Sequence, residues 1–239
     1  ARLFGMPENR VLVRAGDVGG SFGVKLHIYP DEIAAAACAR LLARPVKFIA
    51  TRSEAFQSDA QAREFRASGS IYLSPSGEVT GMTAEFDNAI GAYSIFPRSS
   101  IGDSIQAATQ LGAPYSIARL KTTSRTHWQN KTPSGAIRGV GQPVPCVVTE
   151  QLMDLAARHL DEDPVDFRRR HYLAAETFPL TTPGGVYIER LSLGECLDAL
   201  VEAMSYGALR QEQTMLREQG IWRGIGIATF VEQTAVGPA

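Results

Sequence analysis

The stretch "GDVGGSFGVK" (residues 16–25) gathers Gly16, Gly19, Gly20 and Gly23 around Phe22 and ends on Lys25. Where no Cβ blocks the approach, consecutive N–H groups can converge on an anion, so residues 19–23 could take a phosphate or an oxo ligand. A tight turn asks for the same glycines, and composition alone leaves both readings open. The usual phosphate fingerprints are missing. Lys25 is followed by Leu26 rather than Ser or Thr, and the G-x-G-x-x-G spacing does not occur.

A second stretch has the same make-up. In "SGAIRGVGQP" (134–143), Gly135, Gly139 and Gly141 flank Arg138, just before a helical pattern. An arginine between glycines can anchor a substrate or cofactor oxygen, while an ordinary arginine is a solvated charge. Two such turns, each leading into a helix, could line one wall of a cleft. Lys25 either balances the charge of a bound group or sits in solvent.

Other reactive residues point to less. His27, His127, His159 and His171 share no metal-ligand spacing. Cys38, Cys146 and Cys196 form no CxxC pair, so they read as buried, reduced thiols that suit the cytoplasm and not as ligands of a zinc ion or a cluster. Glu150, Glu189 and Glu195 read as solvated, and no local general base stands out. The basic run "FRRRHYL" (167–173) reads as a solvated helix face or as ion-paired to "DEDPVD" just before it. Phe56, Phe65, Tyr72, Phe86 and Tyr93 fall in strand-like segments and read as core.

These residues need elements to position them. "RVLVRA" (10–15) reads as a strand feeding the first glycine turn, and "PDEIAAAACARLLARP" (30–45) as a helix with acids at its start. "VKFIATR" (46–52) alternates as a strand. Residues 63–94 read as two long strands joined by a hairpin at "SPSGE". Residues 95–115 are rich in Pro, Gly and Ser and read as irregular, and 118–128 as a strand. Val148, Leu152, Leu155 and Ala156 recur at helical spacing in 147–160, and "DPVDFRRRHYL" follows as a short helix. Ser192 and Glu195 have capping-box spacing at the head of a helix over 192–204, and "IWRGIGIATFVEQ" closes as a strand.

Helices and antiparallel strands mixed without a βαβ rhythm indicate an α+β fold. The 239 residues carry 24 basic and 25 acidic side chains, a balance that gives no field for nucleic acid or an anionic membrane. No apolar run reaches the roughly 20 residues that span a bilayer. The opening "ARLFGMPENR" and the closing "VEQTAVGPA" suggest a piece of a longer polypeptide, divided into two lobes near residues 1–135 and 136–239.

Taken in order, "DVGGSFGVK", "RPVKFIATRSE", "GAIRGVGQP" and "EQLMDLAARHLDEDPVDFRRRHYL" resemble the large subunit of the molybdenum hydroxylases. That group includes xanthine dehydrogenase, aldehyde oxidase and aerobic carbon monoxide dehydrogenase. "GIWRGIGIATFVEQTAVGP" resembles the segment leading into the rest of that subunit, and the overall look is of the carbon monoxide dehydrogenase-like branch. The resemblance implies a first molybdenum-cofactor-binding domain. Gly19, Gly20, Phe22 and Gly23 would meet a molybdopterin, and Arg138, Gly139 and Gly141 would lie beside the metal, with Val140 and Leu26 at the substrate pocket. It implies hydroxylation of a small carbonyl or heterocyclic substrate with water-derived oxygen. The cofactor would be the cytosine dinucleotide form, with [2Fe–2S] clusters and FAD on partner subunits or domains, in a dimer of the full complex.

Several positions depart from the family pattern. Gly139 stands where carbon monoxide dehydrogenases carry a copper-binding cysteine, and Leu26 where xanthine enzymes carry a glutamate. Val140 replaces a common aromatic, and Gln142, Pro143 and Val144 replace Arg-Pro-Glu. The family's general base is a late glutamate outside this chain, so the resemblance implies no catalytic residue here and an inactive isolated piece. An anion-binding module or a non-catalytic scaffold remains the alternative.

Overall fold

The structure, a computed structural model, describes residues 1–233. Period-two burial builds its sheet. Along β2 (Val79–Ala89), Met82, Ala84, Phe86 and Asn88 turn to one face and are buried. β1 (Glu64–Leu73) and β3 (Leu120–His127) flank it in the order β1-β2-β3. The β1–β2 hairpin closes where expected: the Ser74 N–H donates to Glu78 O at 2.8 Å, and the Gly77 N–H to Ser74 O at 2.9 Å. Helices mix with these strands without βαβ order, which makes the chain α+β.

Two compact units share the chain. One comprises Ala1–Glu64, Asn88–Asp103 and Thr126–Val140, and the other Phe65–Asp87, Ser104–Arg125 and the chain from Gly141 onward. The chain therefore passes between the units several times.

The larger core belongs to the second unit. There α4 (Pro143–His159) turns Leu152, Met153, Ala156 and Ala157 into one cluster with Met82, Phe86, Leu111 and Phe167. Val148 packs against this cluster, so Val148, Leu152 and Ala156 face the core as the spacing predicts, while Leu155 is exposed and Met153 and Ala157 complete the buried stripe. α5 (Pro164–His171), α6 (Leu193–Ala203) and α7 (Tyr206–Glu218) follow, with a small antiparallel pair of β4 (Leu180–Thr181) and β5 (Tyr187–Ile188) between α5 and α6. Ser192 does precede α6, but its side chain makes no cap hydrogen bond.

Several expectations are corrected. Residues 11–15, 46–51 and 221–233 belong to no strand, with Val13, Ile49 and Trp222 exposed; Arg10 closes a 3-10 turn over Glu8–Arg10, and Arg52 opens a helix. Alternation specifies an extended backbone; a strand also needs a neighbour's N–H and C=O groups, which alternation cannot supply. The Ser/Pro/Gly-rich stretch contains a helix, α3 (Gly102–Thr109), whose Ala107 is fully buried. Phe86 is core and Phe65 packs against it, but Tyr72 and Tyr93 are exposed, and Phe56 is exposed on α2 (Arg52–Ser58). Cys38 and Cys196 are exposed and Cys146 is half-buried, so the thiols are free but not buried.

The basic run is corrected in part. Arg169 and Arg170 pair with acids as expected, Arg169 with Asp166 and Asp198 at 2.8 Å, and Arg170 with Glu78 and Glu162 at 2.6 Å. Arg168 is instead fully buried. Its Nε donates to Glu150 at 2.9 Å, Nη1 lies 2.8 Å from Asp154, and Nη2 donates to the carbonyls of Glu150 and Ile227. The Tyr115 hydroxyl donates to the other Glu150 oxygen at 2.7 Å. Glu150 is therefore not solvated; it is the acceptor at the centre of a satisfied buried network.

Candidate functional site

Both glycine loops lie in the first unit, up to Val140, and their backbones are bonded together. The Arg138 N–H donates to the Phe22 carbonyl at 2.7 Å. Gly23, at φ 107°, lies so close to the second loop that an added Cβ would be 2.2 Å from Ala136 O and 2.9 Å from Ile137 Cα. Only glycine meets both demands, a left-handed backbone and a neighbouring main chain in the space of a side chain.

Buried side chains hold this contact. The Ala136 N–H donates to His27 Nε2 at 2.7 Å, and Gly135 lies against the same ring, with room for no Cβ (2.5 Å to Nε2). His27 therefore accepts as the neutral ring. Burial pushes its pKa down and Arg98 adds to that, against the Phe96 backbone, which raises it. The Tyr29 hydroxyl donates to Val24 O at 2.9 Å and accepts from the Ala60 N–H at 3.2 Å, tying the exit of the first loop to a small cluster of Tyr29, Ala60 and Ile95. The base of the second loop is bonded to residue 61 through Gln61 N–H to Pro133 O and Gly135 N–H to Gln61 O, both 3.0 Å. Ser100 Oγ donates to Ser134 O at 2.6 Å.

The rim of the clamp is polar and open. Residues 16–22 are exposed, Phe22 has φ 51° and Val140 φ 47°, and the Phe22 ring folds back over Gly20. Among the described residues, nothing accepts from the N–H groups of Gly19, Gly20, Ser21 and Phe22. Arg138 and Lys25 are exposed, and among the described residues neither has an acidic partner. Free N–H donors beside two unpaired cations can hold anionic oxygens. The expected placement at a helix start is corrected for the first loop. A 3-10 turn over Val24–Leu26 separates it from α1 (Pro30–Leu42), so its donors are loop amides and not a helix N-terminus.

The remaining candidates fall nearby. Gly139 is half-buried at φ 85°, and the Gly141 N–H, at the start of the second unit, donates to Gln106 Oε1 at 3.0 Å. A cavity of about 620 Å³ in the first unit is lined by Val24, Phe56, Ala60, Gln61 and Ile137. Neither Val140, half-buried, nor Leu26, exposed, lines it. Among the described residues, no group of His, Cys, Asp or Glu converges to hold a metal ion.

Arg63 escaped the sequence reading. Its guanidinium donates to the carbonyls of Ile137, Arg138 and Val140. A contact spanning 75 residues leaves no local pattern, and "QAREF" offers only a charged residue before a strand.

A family model for the molybdopterin cofactor-binding domain matches residues 1–172. The large subunit of nicotine 6-hydroxylase from Paenarthrobacter nicotinovorans is 33% identical over 97% of this chain and 28% of its own length. The carbon monoxide dehydrogenase large chain of Hydrogenophaga pseudoflava is 28% identical over 99% of this chain and 30% of its own. Quinoline 2-oxidoreductase from Pseudomonas putida 86 superposes with a TM-score of 0.79 at 30% identity, over 85% of this chain and 26% of that one. The chain thus spans under a third of the length of these relatives.

Proposed function

The chain belongs to the molybdopterin cofactor-binding domain family, and from that premise we propose that its two clamped loops form part of the cofactor cradle of a molybdenum-dependent oxidoreductase. The observation that carries this is the bond between Arg138 N–H and Phe22 O, which holds the loop of free amides against the loop that bears the exposed, unpaired arginine. Such donors suit the phosphate and oxo groups of a pterin cofactor, and do not suit a bare cation. The cofactor would meet Gly19, Gly20, Phe22 and Gly23 on one loop, and Arg138, Gly139 and Gly141 on the other. Val140 and Leu26 would border the substrate.

When bound, the molybdopterin supplies two-electron oxidation of a small carbonyl or heterocyclic substrate, with water as the oxygen source. The chain's own share is to bind and orient. The free amides donate to anionic oxygens, and the Arg138 guanidinium anchors one more. His27, neutral and buried, keeps the second loop against the first without placing a charge there. No residue of this chain is assigned as general base, so the piece alone binds without turnover. Nicotine 6-hydroxylase and quinoline 2-oxidoreductase are named for nitrogen heterocycles, which favours a heterocyclic substrate. Gly139, where the copper-binding cysteine would stand, argues against carbon monoxide.

The same reading takes the cofactor in its cytosine dinucleotide form and draws electrons to [2Fe–2S] and FAD partners in a dimeric, cytoplasmic assembly. The free thiols of Cys38, Cys146 and Cys196 suit a reducing compartment. Among the described residues, no helix is long and apolar enough to cross a membrane.

The test is metal and pterin analysis of the complete gene product, purified with its natural partners. One molybdenum and one pterin per chain, with both reduced severalfold in Arg138→Ala, support the cradle. Phosphate binding without metal would replace it by an anion-binding module, and binding of neither by a scaffold.

A further inference from the structure

Arg63, half-buried just ahead of β1, turns the Nε and Nη2 edge of its guanidinium to one distant loop. Nη2 donates to Ile137 O at 3.0 Å and to Arg138 O, while Nε donates to Val140 O. The loop it grips is bent against its own preferences. Val140, a β-branched residue, is left-handed at φ 47°, beside Gly139 at φ 85°. Such backbone persists only where surrounding contacts over-determine it. Only two other bonds to this stretch run within the unit: Arg138 N–H to Phe22 O, and Val140 N–H to Ile137 O at 2.7 Å. The guanidinium takes up these carbonyls, while the Arg138 side chain is exposed and, among the described residues, neither it nor the Gly139 N–H has a partner.

We propose that Arg63 is the positioning residue of the Arg138 loop: its forked guanidinium holds three carbonyls so that Arg138 and Gly139 are presented to the anionic cofactor. The inference rests on the cradle reading above and adds the residue that shapes it. It depends on the fork. A lysine ammonium is a point charge that cannot take three carbonyls in this arrangement, so lysine does not replace it.

The test uses the complete gene product with its partners, as wild type, Arg63→Met and Arg63→Lys. Amide hydrogen exchange is followed over residues 137–141, with the β2 peptide 79–89 as a folding control, alongside molybdenum and pterin content. The expected result is exchange at least tenfold faster over 137–141 in both variants, unchanged exchange over 79–89, and cofactor content at least threefold lower. Arg63→Lys indistinguishable from wild type in both readouts overturns the inference. So does fast exchange with full cofactor content, because the grip would then serve stability alone. If Arg63→Met loses protection over 79–89 as well, Arg63→Lys decides by itself. Wild-type protein free of metal and pterin sinks the cradle reading instead, and with it the cofactor half of this inference. The exchange comparison still decides, in that case, whether Arg63 holds the loop.

Discussion

The Arg138 N–H donates to the Phe22 carbonyl at 2.7 Å, and Gly23, the next residue, has the Ala136 backbone where a Cβ would be. Two glycine-rich loops from distant parts of the sequence are thereby one structural piece. Each glycine that lets the loops touch does so for a different physical reason: Gly23 for its φ and its lack of Cβ, Gly135 for lack of Cβ against His27. The free amides and cations lie on the rim of that piece, and the contact decides where a ligand could be held.

Gly23→Ala is expected to separate the loops. A methyl 2.2 Å from a carbonyl oxygen and 2.7 Å from its carbon must displace main chain, and the left-handed φ adds strain. Overpacking and strain together put the cost at about 2–4 kcal/mol. Thermal unfolding measures it, and an unchanged midpoint would contradict the geometry.

His27→Ala is expected to leave the buried Ala136 N–H without an acceptor, at a cost of about 1–3 kcal/mol. The pH dependence has a definite sign. Because the folded-state pKa of His27 is lowered by burial, its contribution is present above about pH 6.5 and is lost as pH falls through the lower folded value. Denaturant melts of wild type and His27→Gln across pH 5–8 should therefore diverge at the alkaline end and converge on acidification.

Asp103 titrates with the opposite sign. Burial pushes its carboxyl up to about 6, against the Arg63 and Arg98 charges, and Oδ2 finds no hydrogen-bond partner among the described residues. A raised folded pKa means stability fully present below about pH 4 and lost as pH rises through 6. Asp103→Asn is expected to flatten that slope and to stabilise the protein above pH 7 by up to about 3 kcal/mol. Equal stability of the two proteins at pH 8 would refute it.

Arg168→Met is expected to be the most damaging of these changes. It leaves the Glu150 carboxylate buried with, among the described residues, the Tyr115 hydroxyl as its one remaining donor, at a cost of about 3–5 kcal/mol. Arg168→Lys should recover only part of this, since one ammonium cannot reproduce bonds to the Glu150 and Asp154 carboxylates and to three backbone carbonyls. Unfolding measured in the double variant Arg168→Met, Glu150→Gln should show a smaller loss than Arg168→Met alone, because the unpaired charge is gone.

The hairpin at 74–78, the α+β class, helix α4 and the two glycine loops were legible in the sequence because each is written within a few neighbouring residues. Glycine content marks a loop, period two marks a strand face, and apolar recurrence marks a helix. The same local logic misplaced residues 10–15, 46–52 and 221–233, which alternate like strands yet have no ladder. It also misjudged Glu150, whose burial is set by Arg168 on the next helix, and hid α3 behind a Ser/Pro/Gly-rich composition.

By itself, then, the chain's sequence determined which backbone segments lack side chains and carry free donors, and through its ordered motifs the family to which it belongs. Only the tertiary structure decided that Phe22 and Arg138 share a hydrogen bond, that His27 must be neutral, and that Arg63 grips a loop 75 residues away. The reason is physical. Propensity and patterning act over one turn of chain, whereas a carbonyl's donor is chosen by packing, which brings together residues whose sequence separation leaves no trace in either neighbourhood.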